Sequence, residues 1–92
     1  MRRAAKVDTN HAEIRSAFRS MGFAVYDASK VGGGLPDLLI SRNEKTKLVE
    51  VKTATGKFTK AQIEFRDGWK DTILVARCLA DVEAISKGWL NE

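Results

Sequence analysis

Glu50-Val51-Lys52 closes an apolar run, and Pro36-Asp37 stands upstream of it, so two carboxylates and one lysine fall on two neighbouring segments that read as extended. Successive side chains of a strand point to opposite faces, so Glu50 and Lys52 share one face while Val49 and Val51 enter the other layer. A carboxylate on that face can ligate a hard divalent cation through oxygen, and a neighbouring ammonium can orient a water or neutralise a phosphate. This is the skeleton of a metal-dependent phosphodiesterase site. Asp37 and Glu50 supply anionic ligands for Mg²⁺ or Mn²⁺, the Val51 carbonyl a third, and water with a phosphate oxygen complete an octahedral set. The competing reading is a cross-strand ion-pair ladder with Lys52. Asp37 follows Pro36 and abuts the Leu38-Leu39-Ile40 run, which places costly charge beside a core and favours the ligand reading. Lys52 suits electrostatic stabilisation of a charged transition state better than general-base work.

The 92 residues suffice for one sheet with a few helices around a single core but are marginal for a large cleft, so a partner subunit is expected. A net charge of +4 and a pI near 9.5 fit a polyanionic partner, although the basic residues are spread along the chain. Cys78 is the only cysteine and His11 the only histidine, which excludes an intrachain disulfide and a zinc cluster and leaves oxygen as the ligand for any metal. No stretch is apolar enough to span a bilayer, and Met1-Arg2-Arg3 leads into a mixed polar segment. The expectation is a cytoplasmic protein, in the host cell if the chain is viral.

The elements that position these residues can be read in turn. Residues 1–92 read as one domain, with residues 1–7 a flexible basic arm. A first helix is expected over His11 to Met21, because Ile14, Ala17, Phe18 and Met21 form one stripe, with Asn10 as cap and Gly22 as stop. Phe23 to Tyr26 reads as a short strand, and Ala28 to Gly34 as a loop whose three consecutive glycines permit unusual backbone angles. Leu35–Ser41 and Lys47–Lys52 are the strongest strand candidates, joined by a polar turn over Arg42–Thr46 and paired antiparallel. A turn centred between Glu44 and Lys45 sets Asp37 opposite Lys52 and Leu39 opposite Glu50, all on one face. A slip of one residue would send Asp37 to the other face. Thr59-Lys-Ala-Gln62 has the form of a capping box and opens a second helix to Trp69, with Ala61, Phe65 and Trp69 at helical spacing. Thr72–Ala76 reads as a buried strand, and Leu79, Val82 and Ile85 as a final helix before Gly88. The fold expected is α/β, a central mixed sheet flanked by helices.

Gly34-Leu-Pro-Asp37, Leu48-Val-Glu-Val-Lys52, Gly56-Lys-Phe-Thr59 and Gln62 follow one another in an order that resembles the VRR-NUC (virus-type replication-repair nuclease) domain, a branch of the PD-(D/E)xK superfamily. The resemblance runs from Glu13 through the strand and helix after Gln62. It implies a restriction-endonuclease-like fold and a small domain that cleaves DNA with a divalent metal, with stand-alone viral members resembling Holliday junction resolvases. Gln62 matches the family's glutamine, which could orient the water or a phosphate near Lys52; the alternative is that it only completes its own capping box. Glu13 matches the first-helix acid of related resolvases, while Asn10-His-Ala-Glu13 is also an acceptable capping pattern.

Ser29, Lys30, Gly33 and Gly34 lead directly into a ligand strand, where absent side chains let backbone N–H groups approach phosphate and Lys30 adds charge. Lys57 and Lys60 flank the second helix's positive end and could meet backbone phosphates, or form a solvated basic face. His11, without partners, reads as exposed; Trp69 and Trp89 read as core or dimer-contact groups. The leading functional expectation is a metal-dependent DNA endonuclease acting on branched DNA such as Holliday junctions as a homodimer. The alternatives are a nuclease of flaps, nicks or single strands, and a catalytically silent nucleic-acid-binding module with a nuclease fold.

Overall fold

Each expected element forms, in the expected order: α1 (His11–Ser20), β1 (Ala24–Asp27), β2 (Leu38–Arg42), β3 (Lys45–Val51), α2 (Lys60–Gly68), β4 (Ile73–Ala76) and α3 (Leu79–Gly88). The computed structural model describes residues 10–89, so the arm expected at residues 1–7 lies outside the described residues. The sheet runs β1-β2-β3-β4, antiparallel through β3 and parallel between β3 and β4. A parallel step cannot be made by a tight turn, and the chain makes it through the segment containing α2. This is the mixed α/β sheet expected from the sequence.

Alternation sorts the strand residues. Leu38, Ile40, Val49 and Val51 point to one face and pack with Ile14 and Phe18 of α1, Val82 of α3, and Phe23, Ala76 and Trp89. Trp89 is fully buried, edge-on to Phe23 at 4.8 Å between ring centroids, and its Nε1 donates to the Arg42 carbonyl at 2.7 Å. Arg42, assigned to the turn by its polarity, is instead the last residue of β2. Its guanidinium donates to the Met21 carbonyl at 2.7 Å and to the Ser86 carbonyl at 2.8 Å. It thereby places a cation where the last turns of α1 and α3 present unpaired carbonyls.

The hairpin register differs from expectation by two residues. The turn is Asn43-Glu44, both with positive φ (55° and 64°), and it closes Arg42 against Lys45. That is a two-residue turn of the primed kind, whose twist suits a hairpin; the five polar residues suggested a longer loop. With Leu38 opposite Val49, the next step puts Asp37 opposite Glu50, not Lys52. A shift of two preserves the face, so Asp37, Glu50 and Lys52 still project together.

Three further expectations are corrected. Asn10 precedes α1 but makes no side-chain cap; its Nδ2 donates to the carbonyls of Lys52 at 3.2 Å and Arg77 at 3.0 Å, tying the ends of β3 and β4 together. His11, the first residue of α1, is buried at 5% exposure with its Nε2 4.0 Å from Asp27 Oδ1. The apolar spacing of α2 does not enter the core: no α2 residue is buried, and Trp69 is 44% exposed. Its capping box and a side chain reaching Glu50 anchor it instead, over the face opposite α1 and α3.

Candidate active site

The strand expected from Leu35 begins only at Leu38, so Asp37 stands one residue before β2 and, by the next step of the register, opposite Glu50 of β3. Directly opposed residues of an antiparallel pair hold their Cβ atoms about 4.5–5.5 Å apart, close enough for both carboxylates to reach one cation. The Val51 N–H donates to Asp37 Oδ2 at 2.9 Å, while the Lys52 N–H goes the other way, to the Ala76 carbonyl at 3.1 Å. A strand residue turns its N–H and C=O to the same side, so the Val51 carbonyl also points toward the Asp37 strand. Continued two residues past its last pair, the register would set Pro36 opposite Val51, and Pro36 has no N–H to give. Pro36 therefore offers that carbonyl no ladder bond.

Glu50 is 3% exposed, and its Oε2 accepts from Gln62 Nε2 at 2.8 Å. The other end of the same amide, Oε1, accepts from the Thr59 N–H at 2.9 Å, and Thr59 Oγ1 accepts from the Gln62 N–H at 3.1 Å. The two readings of Gln62 are thus both occupied geometries, one at each end of its side chain. Lys52 is 8% exposed, with its ammonium 5.6 Å from the centre of the Phe58 ring. That contact is within cation–π range, and it holds a charged group among buried neighbours where attraction is little screened.

Set against families of known proteins, the chain matches the VRR-NUC domain over residues 2–80. The chain belongs to the VRR-NUC family. Membership implies nuclease function of the PD-(D/E)xK type. No curated protein and no solved structure matches it.

Around the acids of this VRR-NUC chain, two loops close the frame. Gly32, Gly33 and Gly34 all take positive φ, and Gly34 lies so close to α2 that a Cβ there would fall 2.2 Å from the Ala61 carbonyl oxygen. The glycine loop and the first turn of α2 are therefore packed backbone to backbone, which sets Lys30 and Gly33 on one side and Lys57 and Lys60 on the other, all exposed. Ser29 turns inward: its hydroxyl and N–H donate to Asp27 Oδ1 at 2.6 and 2.9 Å, so its hydroxyl hydrogen is committed to the protein. Burial pushes the Asp27 carboxyl up, but those bonds, the Arg15 guanidinium and the nearby His11 outweigh it and hold the carboxyl at about 2. Asp27 is thus an anionic anchor for the loop throughout the neutral range.

Glu13 stays apart. It is exposed on α1, on the far side of the sheet, and makes no hydrogen bond or ion pair among the described residues. No group of three or more acids, histidines or cysteines is placed to hold a metal among those residues. One residue without a sequence signal also shapes the site. Arg77 donates from Nη1 to the carbonyls of Thr53 at 2.6 Å and Gly56 at 2.8 Å, bracing the segment between Lys52 and α2. Its position after β4 gave no hint of a partner 21 residues upstream.

Proposed function

We propose that this VRR-NUC chain is a divalent-metal-dependent DNA endonuclease that hydrolyses phosphodiester bonds in branched DNA, working as a homodimer. The observation that carries the metal reading is the bond from the Val51 N–H to Asp37 Oδ2 at 2.9 Å, which holds the Asp37 carboxylate beside the residue that follows Glu50. Asp37, Glu50 and the Val51 carbonyl would supply an all-oxygen set suited to a hard cation such as Mg²⁺ or Mn²⁺. When bound, such a cation polarises the phosphate and lowers the pKa of a water.

The chain's own residues do the rest. Gln62 fixes the Glu50 carboxylate in one orientation through its Nε2. Lys52, buried beside Phe58, presents a fixed positive charge where negative charge develops on the phosphate oxygens, at no cost of solvent reorganisation. Lys30, Lys57 and Lys60 neutralise backbone phosphates on either side, and open N–H groups of Gly33 and Gly34 can join them. Branched DNA is supported by the chain's small size, which places two strands within reach of two sites only in a symmetric pair.

The deciding experiment is cleavage of four-way junction, flap, duplex and single-stranded DNA with Mg²⁺, with Mn²⁺ and with EDTA. Cleavage is expected with either cation and none in EDTA, the junction being cut fastest; Asp37→Asn and Glu50→Gln are expected to abolish it with the fold intact. Metal-independent cutting would remove the cation from the mechanism. Binding without cutting would favour a silent module, and preference for flaps would reassign the substrate.

A further inference from the structure

The face that carries Asp37 and Glu50 is covered on one side and bare on the other. Leu48 and its neighbour Ile73 on this face are 7% and 6% exposed. Toward the β1 edge the cover ends. Tyr26 stands opposite Leu39, which stands opposite Leu48, so the three share the face, and Tyr26 is 66% exposed. Asp37 lies diagonally across from Tyr26, since the Ala28 N–H pairs with the Asp37 carbonyl at 2.7 Å. Diagonal neighbours on a sheet are about 7–8 Å apart, within the span of one nucleotide.

Tyr26 separates two hollows. One, of about 320 Å³, is floored by Leu39, Ser41 and Thr46. The other, of about 430 Å³, runs to Ser29, Lys30 and Val31, and Val31 is itself 65% exposed. An exposed aromatic ring with open space on both sides and a lysine nearby combines a stacking surface with a phosphate partner. In continuous duplex the base planes are enclosed in the stack and cannot reach a ring on a sheet face. An unpaired base can.

Resting on the nuclease reading above, we propose that Tyr26 and its flanking hollows bind an unpaired base adjoining the scissile phosphate, with Lys30 on the next phosphate. The substrate class so selected is DNA with an unpaired or splayed nucleotide at the cut, as at a branch point. Tyr26 is then a specificity-determining residue.

The test uses the full chain at low salt in EDTA, so that nothing is cleaved. The probes are 2-aminopurine in a two-nucleotide single-stranded branch and the same base in continuous duplex. Wild type and Tyr26→Phe are expected to quench the branch fluorophore on binding. Tyr26→Ala is expected to lose the quench and about tenfold in affinity for the branched probe, with duplex affinity unchanged. Equal loss on both probes, or no loss on either, would overturn the proposal while leaving nuclease activity in Mg²⁺ to stand. A Tyr26→Ala protein that becomes monomeric with branched-DNA binding intact would overturn it in favour of a second copy on this face. Wild type that neither binds nor cuts any DNA would remove the nuclease reading itself.

Discussion

Gln62 shows how one side chain can join fold to site. Its Oε1 completes the α2 capping box while its Nε2 holds Glu50, so the two roles are separable by substitution. Thr59→Ala removes a cap acceptor alone and is expected to cost about 1 kcal/mol with cleavage largely kept. Gln62→Met removes both bonds and leaves the buried Glu50 carboxylate without that donor. It is expected to cost roughly 1–3 kcal/mol and most of the cleavage rate. Urea unfolding and single-turnover cleavage of both variants would check this, and equal cleavage losses would mean that Gln62 acts only through its helix. The residues with acid, amide and ammonium chemistry were legible because their types and spacing already imply a task. Asn10, Arg42 and Arg77 were not. Their bonds reach carbonyls 42, 44 and 24 positions away, and a polar side chain on a short segment carries no mark of which distant backbone it will meet.

The elements were legible by periodicity, and their joints less so. Alternation placed β2 and β3 and kept Asp37 and Glu50 on one face, yet the register slipped because Asn43-Glu44 lacks the glycine that usually marks a two-residue turn. Apolar spacing likewise identified α2 but not its lack of burial, since spacing shows a stripe and not what covers it. The glycine loop holds the clearest joint. Gly32 and Gly34 share a φ of +83°, so Gly32→Ala and Gly34→Ala carry the same backbone strain, roughly 1–2 kcal/mol. Only Gly34→Ala also drives a methyl into the Ala61 carbonyl, whereas nothing lies within 4 Å of the position at Gly32. Gly34→Ala is expected to be the less stable of the two in thermal unfolding and to lose cleavage, because α2 must shift and draw Gln62 from Glu50. Equal melting temperatures would show that the contact yields without moving the helix.

At the scale of the whole molecule, α2 leaves apolar surface that the chain itself does not cover. Ile63 is 48% exposed on one flank of the helix, and Trp69, 44% exposed just past its end, stacks on Phe65 with ring centroids 5.2 Å apart. Exposed apolar side chains on one element are candidate contacts with a partner. On the homodimer reading proposed above, an isologous contact between two α2 helices would close on itself and set two sites in one particle. The Trp89 end, an alternative contact on sequence grounds, is excluded in part by the full burial of Trp89. Ile63→Glu and Trp69→Ser would place a charge or a polar group in that interface without touching Asp37, Glu50 or Lys52. Both are expected to shift the protein to a monomer in light scattering. Cleavage of a four-way junction should then change from paired cuts to single nicks, since each remaining site still hydrolyses one strand but no longer has a partner on the opposed strand. Junction affinity should also fall less steeply with salt, because one subunit releases fewer counterions than two. A wild type that is monomeric both free and on junction DNA would end the homodimer reading and leave the single-site chemistry in place.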